Sequence, residues 1–99
     1  MKTSELTSAA LDWAVAKAIG EYKPVPVPNY STDWSQGGPI IEREHISAAY
    51  AYWGEWEAWD DKTMPPPKYR GPTPLIAAMR CYVASKLGET VNIPEELKP

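Results

Sequence analysis

The sequence predicts an α+β fold with two main helices packed on a small antiparallel sheet that contains an aromatic β-hairpin. Apolar residues recur with helical spacing near both ends of the chain, at about residues 4–19 and 74–87. Between these stretches, apolar and aromatic residues alternate with a period of two from Ile46 onward, which is typical of strands. A length of 99 residues fits one small globular domain, 1–99.

The first helix is predicted over about residues 4–19. Thr3 is a suitable N-cap, and Leu11, Val15 and Ile19 share one face of the helix. Gly20 stands where a glycine commonly ends a helix.

Proline and polar residues dominate the next stretch. Lys23–Pro28 alternates proline with other residues, which favours a rigid extended spacer, or an edge strand at most. Residues 29–38 are predicted to form a loop because Asn, Ser, Thr, Asp, Gln and Gly dominate there. Pro39 fits the first position of a short helix over Ile40–Glu44.

The alternating segment predicts a hairpin that turns near Gly54 and continues through Trp56–Trp59. An isolated hairpin is marginally stable, so we expect a further strand or a covering helix. Asp60–Pro72, which contains three consecutive prolines, is predicted to be a loop.

The second main helix is predicted over residues 74–87. Thr73 is a strong N-cap candidate, Pro74 suits the first helical position, and Gly88 ends the pattern. Beyond it we expect a short strand at Val91–Ile93 and a terminal helical turn at Pro94–Leu97.

Composition excludes several classes of protein. The net charge is −3 and the ten basic residues form no run, which argues against binding to a nucleic acid polymer. No apolar stretch is long enough to cross a membrane, and nothing at the N-terminus resembles a signal peptide. A soluble cytoplasmic protein is therefore expected.

Residues for catalysis or metal binding are sparse, and we predict no catalytic residue, no metal and no cofactor. Cys81 is the only cysteine and His45 the only histidine; Cys81 falls in the middle of a predicted helix, where a small hydrophobic residue normally packs. Of the acidic residues near His45, only Glu42 shares a helix face with it.

A ligand site is predicted where two helices begin. Helix starts expose backbone N–H groups and favour negative charge, and glycine allows close approach to the backbone. Aromatic, hydroxyl, amide and basic side chains surround these starts, and the candidate ligand-binding residues are Tyr30, Ser31, Thr32, Asp33, Trp34, Ser35, Gln36, Gly37, Gly38, Arg70, Gly71, Thr73 and Arg80.

Structural roles for the same residues remain open. Asp33 or Ser35 is a suitable turn cap, Trp34 a suitable anchor for its loop, and Thr73 a simple helix cap. Arg80 either faces the site or pairs with an acid such as Glu42. The aromatic hairpin is a second candidate surface, because its rings exceed what one thin core can bury.

Three blocks of the sequence resemble a known family. Met1–Thr7 with Ala9–Lys17, then Tyr30–Glu44, then Gly71–Gly88 are similar to the NinX-like small proteins of lambdoid phages and their prophages. The proline spacer and the hairpin lie outside these blocks. The resemblance implies an accessory protein acting in an infected bacterial cell, and it transfers no catalytic residue.

The leading hypothesis is a non-enzymatic binder of a small anionic, nucleotide-like ligand, such as a signalling molecule of host immunity that the phage sequesters. The site lies within one chain or between the subunits of a homo-oligomer. The alternative is a protein–protein inhibitor or adaptor that acts on a host or phage protein through the aromatic hairpin. Hydrolysis of a nucleotide signal is a third possibility, for which the chain offers neither an evident base nor a nucleophile.

Overall fold

The computed structural model describes residues 1–20, 27–51 and 54–98. Most of the predicted proline spacer, and Tyr52 and Trp53 of the hairpin, lie outside these residues. The helices are α1 (Ser8–Ile19), α2 (Trp34–Glu44) and α3 (Pro74–Leu87), and the strands are β1 (Ile46–Tyr50), β2 (Trp56–Asp60) and β3 (Tyr69–Gly71). Short 3₁₀ turns occupy Thr3–Glu5 and Glu95–Leu97. The predicted α+β class is confirmed.

The first helix begins later than predicted. Ser8 is the first residue of α1, and the 3₁₀ turn at Thr3–Glu5 is separated from it by two residues. Thr3 is buried, and its hydroxyl donates to the carbonyl of Gly88 at 2.7 Å, so it joins the two ends of the chain instead of capping α1. Gly20 ends α1 in the left-handed conformation, as expected.

The second helix is longer than predicted, because Asp33 and not Pro39 determines its start. The Asp33 carboxylate accepts the backbone N–H of Ser35 at 2.9 Å, and this N-cap begins the helix at Trp34. Pro39 therefore lies inside α2. Its missing N–H leaves the carbonyl of Ser35 without a helical donor, and water can replace that donor because Ser35 is exposed.

The hairpin is confirmed, and it gains both a strand and a helix cover. β1 and β2 pair antiparallel, with Ala48 opposite Ala58 and Tyr50 opposite Trp56. β3 lies in the segment Asp60–Pro72, which was predicted to be a loop, and it pairs antiparallel with β2. The strand order is therefore β1-β2-β3. The expected strand at Val91–Ile93 does not form; Lys2 and Thr90 make a single antiparallel bridge instead.

Helix α3 has the predicted bounds and lies at the centre of the molecule, in contact with all three strands and with α1 and α2. Arg80 is buried in this core. Its guanidinium donates to the carbonyl of Leu6 at 2.9 Å and to the carbonyl of Arg70 at 2.7 Å. Arg80 therefore joins the N-terminal segment to β3 through α3, and it does not pair with Glu42.

A cluster of charges joins the C-terminal ends of α2 and α3. The carboxylate of Glu44 is within 3.5 Å of the cationic groups of Arg43, Lys62 and Lys86. Burial alone would raise the pKa of Glu44, but the hydrogen bonds from Arg43 and Lys62 and the charge of Lys86 together lower it.

Candidate functional site

The segments that lead into α2 and α3 meet at one hollow. Its volume is about 170 Å³, and it is lined by Ser31, Thr32, Trp34, Thr73, Leu75 and Ile76. The first three residues come from the segment that leads into α2, and the last three from the start of α3. Parts of the two predicted segments therefore meet here, but Gly37 and Gly38, whose N–H groups were predicted to meet the ligand, do not line this hollow.

Two buried contacts fix the loop that forms one wall. The carboxylate of Asp12 in α1 accepts the backbone N–H of Ser31 at 2.8 Å. Gly37 of α2 packs against the carbonyl of Tyr30, so closely that a Cβ on Gly37 would overlap the Tyr30 oxygen and would lie 2.7 Å from Cδ1 of Leu75. The close approach that glycine permits here serves packing between α2, the loop and α3.

The side chains in the hollow combine a ring, apolar surface and hydroxyl groups. Trp34 is 55% exposed at the rim, and Leu75 is buried. Ser31 is 1% exposed, and its Oγ has no hydrogen-bond partner within the part of the chain that the structure describes. The hydroxyl of Thr73 accepts the N–H of Ile76 at 3.1 Å, so its role as a cap is confirmed and its own proton is still available for donation.

Fewer backbone N–H groups face the hollow than the sequence predicted. The N–H groups of Gln36 and Gly37 donate to the carbonyl of Asp33 at 3.0 Å, inside α2. The N–H of Gly37, predicted to meet an anion, is therefore already used. At the start of α3 the N–H of Ala77 donates to the carbonyl of Thr73, and the N–H of Ile76 donates to the hydroxyl of Thr73. The N–H of Leu75 is therefore the first amide of α3 that has no acceptor within the helix.

The predicted cations do not line the hollow. Arg80 is held by carbonyl groups in the core, and Arg70 is exposed with its guanidinium 3.9 Å from the carboxylate of Glu57. Gly71 is buried between β3 and α3, where a Cβ would lie 2.8 Å from the backbone nitrogen of Ala77, so its small size also serves packing.

The remaining predicted residues lie beside the hollow without lining it. Asp33, Ser35 and Gln36 are exposed, Tyr30 is buried, and Gly38 is half-buried. Hydrogen bonds from the hydroxyl and the backbone N–H of Ser35 lower the pKa of Asp33. This carboxylate is thus ionised near neutral pH, and its charge opposes the binding of an anion nearby.

A larger hollow lies elsewhere, and no sequence pattern predicted it. Its volume is about 310 Å³, and it is lined by Lys2, Thr3, Ser4, Tyr69, Glu89 and Thr90. Both ends of the chain and β3 contribute to it, and no local pattern in the sequence signals that these three segments meet. Burial and the charge of Glu89 raise the pKa of Tyr69, so its hydroxyl keeps its proton at neutral pH.

Nucleophilic chemistry finds little support in the described residues. Burial, together with the charges of Asp60 and Asp61, raises the pKa of Cys81 to about 12, so the thiol stays protonated at neutral pH. His45 is exposed and forms the left-handed cap that ends α2. No cluster of three or more metal-binding side chains occurs in residues 1–20, 27–51 and 54–98.

None of the described helices is long and apolar enough to cross a membrane.

No curated protein matches the sequence. A family described as "Bacteriophage P22, NinX" matches residues 21–86, which cover the middle block of the resemblance, most of its last block, and also the spacer and hairpin. Because this match covers more than half of the chain, the protein belongs to the phage NinX family.

Proposed function

We propose that this phage protein is a non-enzymatic binding protein whose hollow between the starts of α2 and α3 holds part of a small anionic, nucleotide-like molecule. The observation that carries the proposal is the convergence of two separate segments on that hollow, with a half-exposed tryptophan at its rim. Sequestration of a nucleotide signal of host immunity is the biological role that fits such a site.

The ring of the ligand stacks on Trp34. The exposed indole offers a flat face on which a ring can stack, and base–aromatic stacking tolerates any base. Leu75 and Ile76 provide apolar surface beside the indole. An aromatic ring beside an apolar wall is common in small-molecule sites.

The polar groups of the ligand meet hydroxyl groups and the start of α3. The hydroxyl of Thr73 keeps its proton for donation to the ligand, whereas the Oγ of Ser31 is buried and gains a partner from the ligand only when binding makes it accessible. A negative group is favoured by the positive end of the dipole of α3 and by the N–H of Leu75.

The size and charge of the hollow limit what it holds. A volume of about 170 Å³ is below that of pockets that enclose drug-sized ligands, so the hollow accommodates one ring or one anionic group, and the remainder extends over the surface. Because no lysine or arginine lines it, we expect affinity to depend only weakly on salt concentration.

The test measures thermal unfolding in the presence of mono-, di- and cyclic nucleotides. A nucleotide at about one hundred times its dissociation constant stabilises the fold by about 2.7 kcal/mol, which corresponds to a rise of about 10 °C or more in Tm. The variant Trp34→Ala should weaken binding by about 5- to 150-fold, since stacking contributes about 1–3 kcal/mol per base.

The control is Tyr50→Ala, which removes an exposed aromatic side chain that does not line the hollow. This variant should bind the nucleotide as the native protein does. The proposal is wrong if no nucleotide raises the Tm, or if both variants bind as tightly as the native protein. Recovery of the unchanged nucleotide after incubation distinguishes binding from hydrolysis.

The second candidate function is that of an inhibitor or adaptor that binds another protein through the aromatic hairpin. Tyr50 is 62% exposed and meets Trp56 edge to face, with ring centroids 5.3 Å apart. Exposed Glu55 lies beside them, which favours a basic partner. A host or phage protein captured by native protein and by Trp34→Ala, but not by Tyr50→Ala, would support this function over ligand binding.

A further inference from the structure

Strand β1 forms one edge of the sheet, and its hydrogen-bonding phase shows which of its backbone groups face outward. At one end Ala51 donates to the carbonyl of Glu55 at 2.7 Å, and at the other Asp61 donates to the carbonyl of His45 at 3.1 Å. Hydrogen-bonded pairs alternate with non-bonded pairs in an antiparallel ladder. The backbone N–H and C=O groups of the odd-numbered residues of β1 therefore point toward β2. Those of Ile46, Ala48 and Tyr50 point away from β2, to the outer edge.

No strand in the described part of the chain pairs with this outer edge, along which Ile46 is buried. Ala48 and Tyr50 are exposed, and β1 is the terminal strand of the sheet. Within the described part of the chain, the backbone groups of Ala48 and Tyr50 make no hydrogen bond besides those of the sheet itself. The edge thus presents consecutive donors and acceptors at the spacing that a further strand requires.

The two edges of the sheet differ in how they are protected. β3 has three residues, carries Arg70, and follows Lys68 and a run of three prolines, all of which discourage pairing. β1 has five residues, no charge, no proline and no bulge in its register with β2. Proteins that remain monomeric usually block such an edge, so β1 has the properties of a pairing surface.

We propose that β1 pairs antiparallel with β1 of a second copy of this chain, about a two-fold axis at Ala48. This register places Ala48 opposite Ala48 and Ile46 opposite Tyr50 of the other copy, and every outward N–H meets an outward carbonyl. Registers centred on Ser47 or Ala49 leave some of these groups unused. The two sheets become one continuous sheet across the axis.

The strand itself favours a second copy as the occupant. The sequence of β1 is self-complementary in this register, because no charged side chain meets its like across the axis. Ala48 is small enough for two copies to approach at the spacing of a hydrogen-bonded pair, about 5.5 Å between Cα atoms. The pairing gives the expected homo-oligomer a defined interface, and it does not depend on the proposed ligand.

The first experiment measures the mass of the protein by sedimentation over a range of concentrations, together with amide hydrogen exchange. We expect a reversible dimer, and amides of Ala48 and Tyr50 that are protected in the dimer and exchange on dilution. The amides of Ser47 and Ala49 face β2 and should stay protected at both concentrations. A protein that remains monomeric at every concentration overturns the proposal.

Variants at Ala48 test the register. Ala48→Pro removes only an outward N–H, so the fold should persist while dimer dissociation increases at least about tenfold, since one hydrogen bond per copy is lost. Ala48→Ser keeps the N–H and should dimerise normally. Folding of the proline variant is checked by circular dichroism.

A charge exchange at the same position keeps the backbone intact and so remains informative if the proline variant fails to fold. Ala48→Glu and Ala48→Lys place like charges opposite each other, and each variant alone should be monomeric. Mixed together, they should form a heterodimer. If both dimerise alone, or if the mixture stays monomeric while the native protein dimerises, then Ala48 does not lie on the axis and the proposal is wrong.

Discussion

Adjacent glycines in α2 should respond in opposite ways to the same substitution. Gly37 packs against the carbonyl oxygen of Tyr30 and against Cδ1 of Leu75, whereas a Cβ on Gly38 would have as its nearest neighbour Cε3 of Trp34, at an ordinary 3.7 Å. Both residues are helical. Gly37→Ala and Gly38→Ala therefore form a matched pair that separates helix propensity from packing.

The magnitude follows from two opposing effects. Replacing glycine by alanine inside a helix stabilises it by about 1 kcal/mol, and both variants receive this contribution. Only Gly37→Ala also forces atoms apart, at a typical cost of about 1–3 kcal/mol, and the cost falls at the upper end because the Tyr30 oxygen is backbone. We expect Gly38→Ala to be more stable than Gly37→Ala by about 3 kcal/mol.

Urea unfolding followed by tryptophan fluorescence measures this difference. With a slope of about 1–3 kcal/mol per molar urea, the two midpoints should differ by about 1 M or more. Equal midpoints would refute the close packing of α2 on the loop, and with it the account of how that wall of the hollow is held. The same variants should also differ in nucleotide affinity, because a displaced Tyr30–Ser31 segment changes the shape of the site.

Three further predictions concern the groups that hold the fold. Arg80→Met leaves two carbonyl groups without their donor and should lower the free energy of unfolding by about 2–4 kcal/mol in urea titrations. The stability of Arg80→Lys should lie between those of Arg80→Met and the native protein. Glu44→Gln should lower stability at pH 7 by up to about 1 kcal/mol. Because the pKa of Glu44 is lowered in the folded state, that contribution is present above the pKa of the unfolded chain. It should fade in unfolding curves as the pH falls below that value and be lost once the pH is below the lowered pKa of the folded state. Thr73→Ala should cost about 1 kcal/mol in thermal unfolding, because it removes the cap of α3, whereas Thr73→Ser should restore it.

The elements that were predicted well are those whose signals are local. Thr73, Pro74 and Gly88 mark α3 at both ends, and the hairpin follows from alternation about Gly54. The short strand β3 had no such signal. Its three residues become a strand because β2 offers an unpaired edge.

The start of α2 was mispredicted because two local rules competed. Proline at the first helical turn suggested a start at Pro39, whereas the cap at Asp33 began the helix earlier. The two rules differ in energy by amounts that neighbouring contacts can reverse, and in the observed helix Gly37 packs against the carbonyl of Tyr30.

The sequence alone determined the class of fold and the bounds of α3, and it marked polar segments before α2 and α3, because caps, turns and periodicity act over a few residues. Tertiary structure decided what the polar groups of those segments do. Arg80 was assigned to the ligand from its position in a helix, yet its guanidinium satisfies carbonyl groups from two distant segments in the core. A buried charge costs free energy unless hydrogen-bond partners surround it, and only the packed fold places such partners beside Arg80.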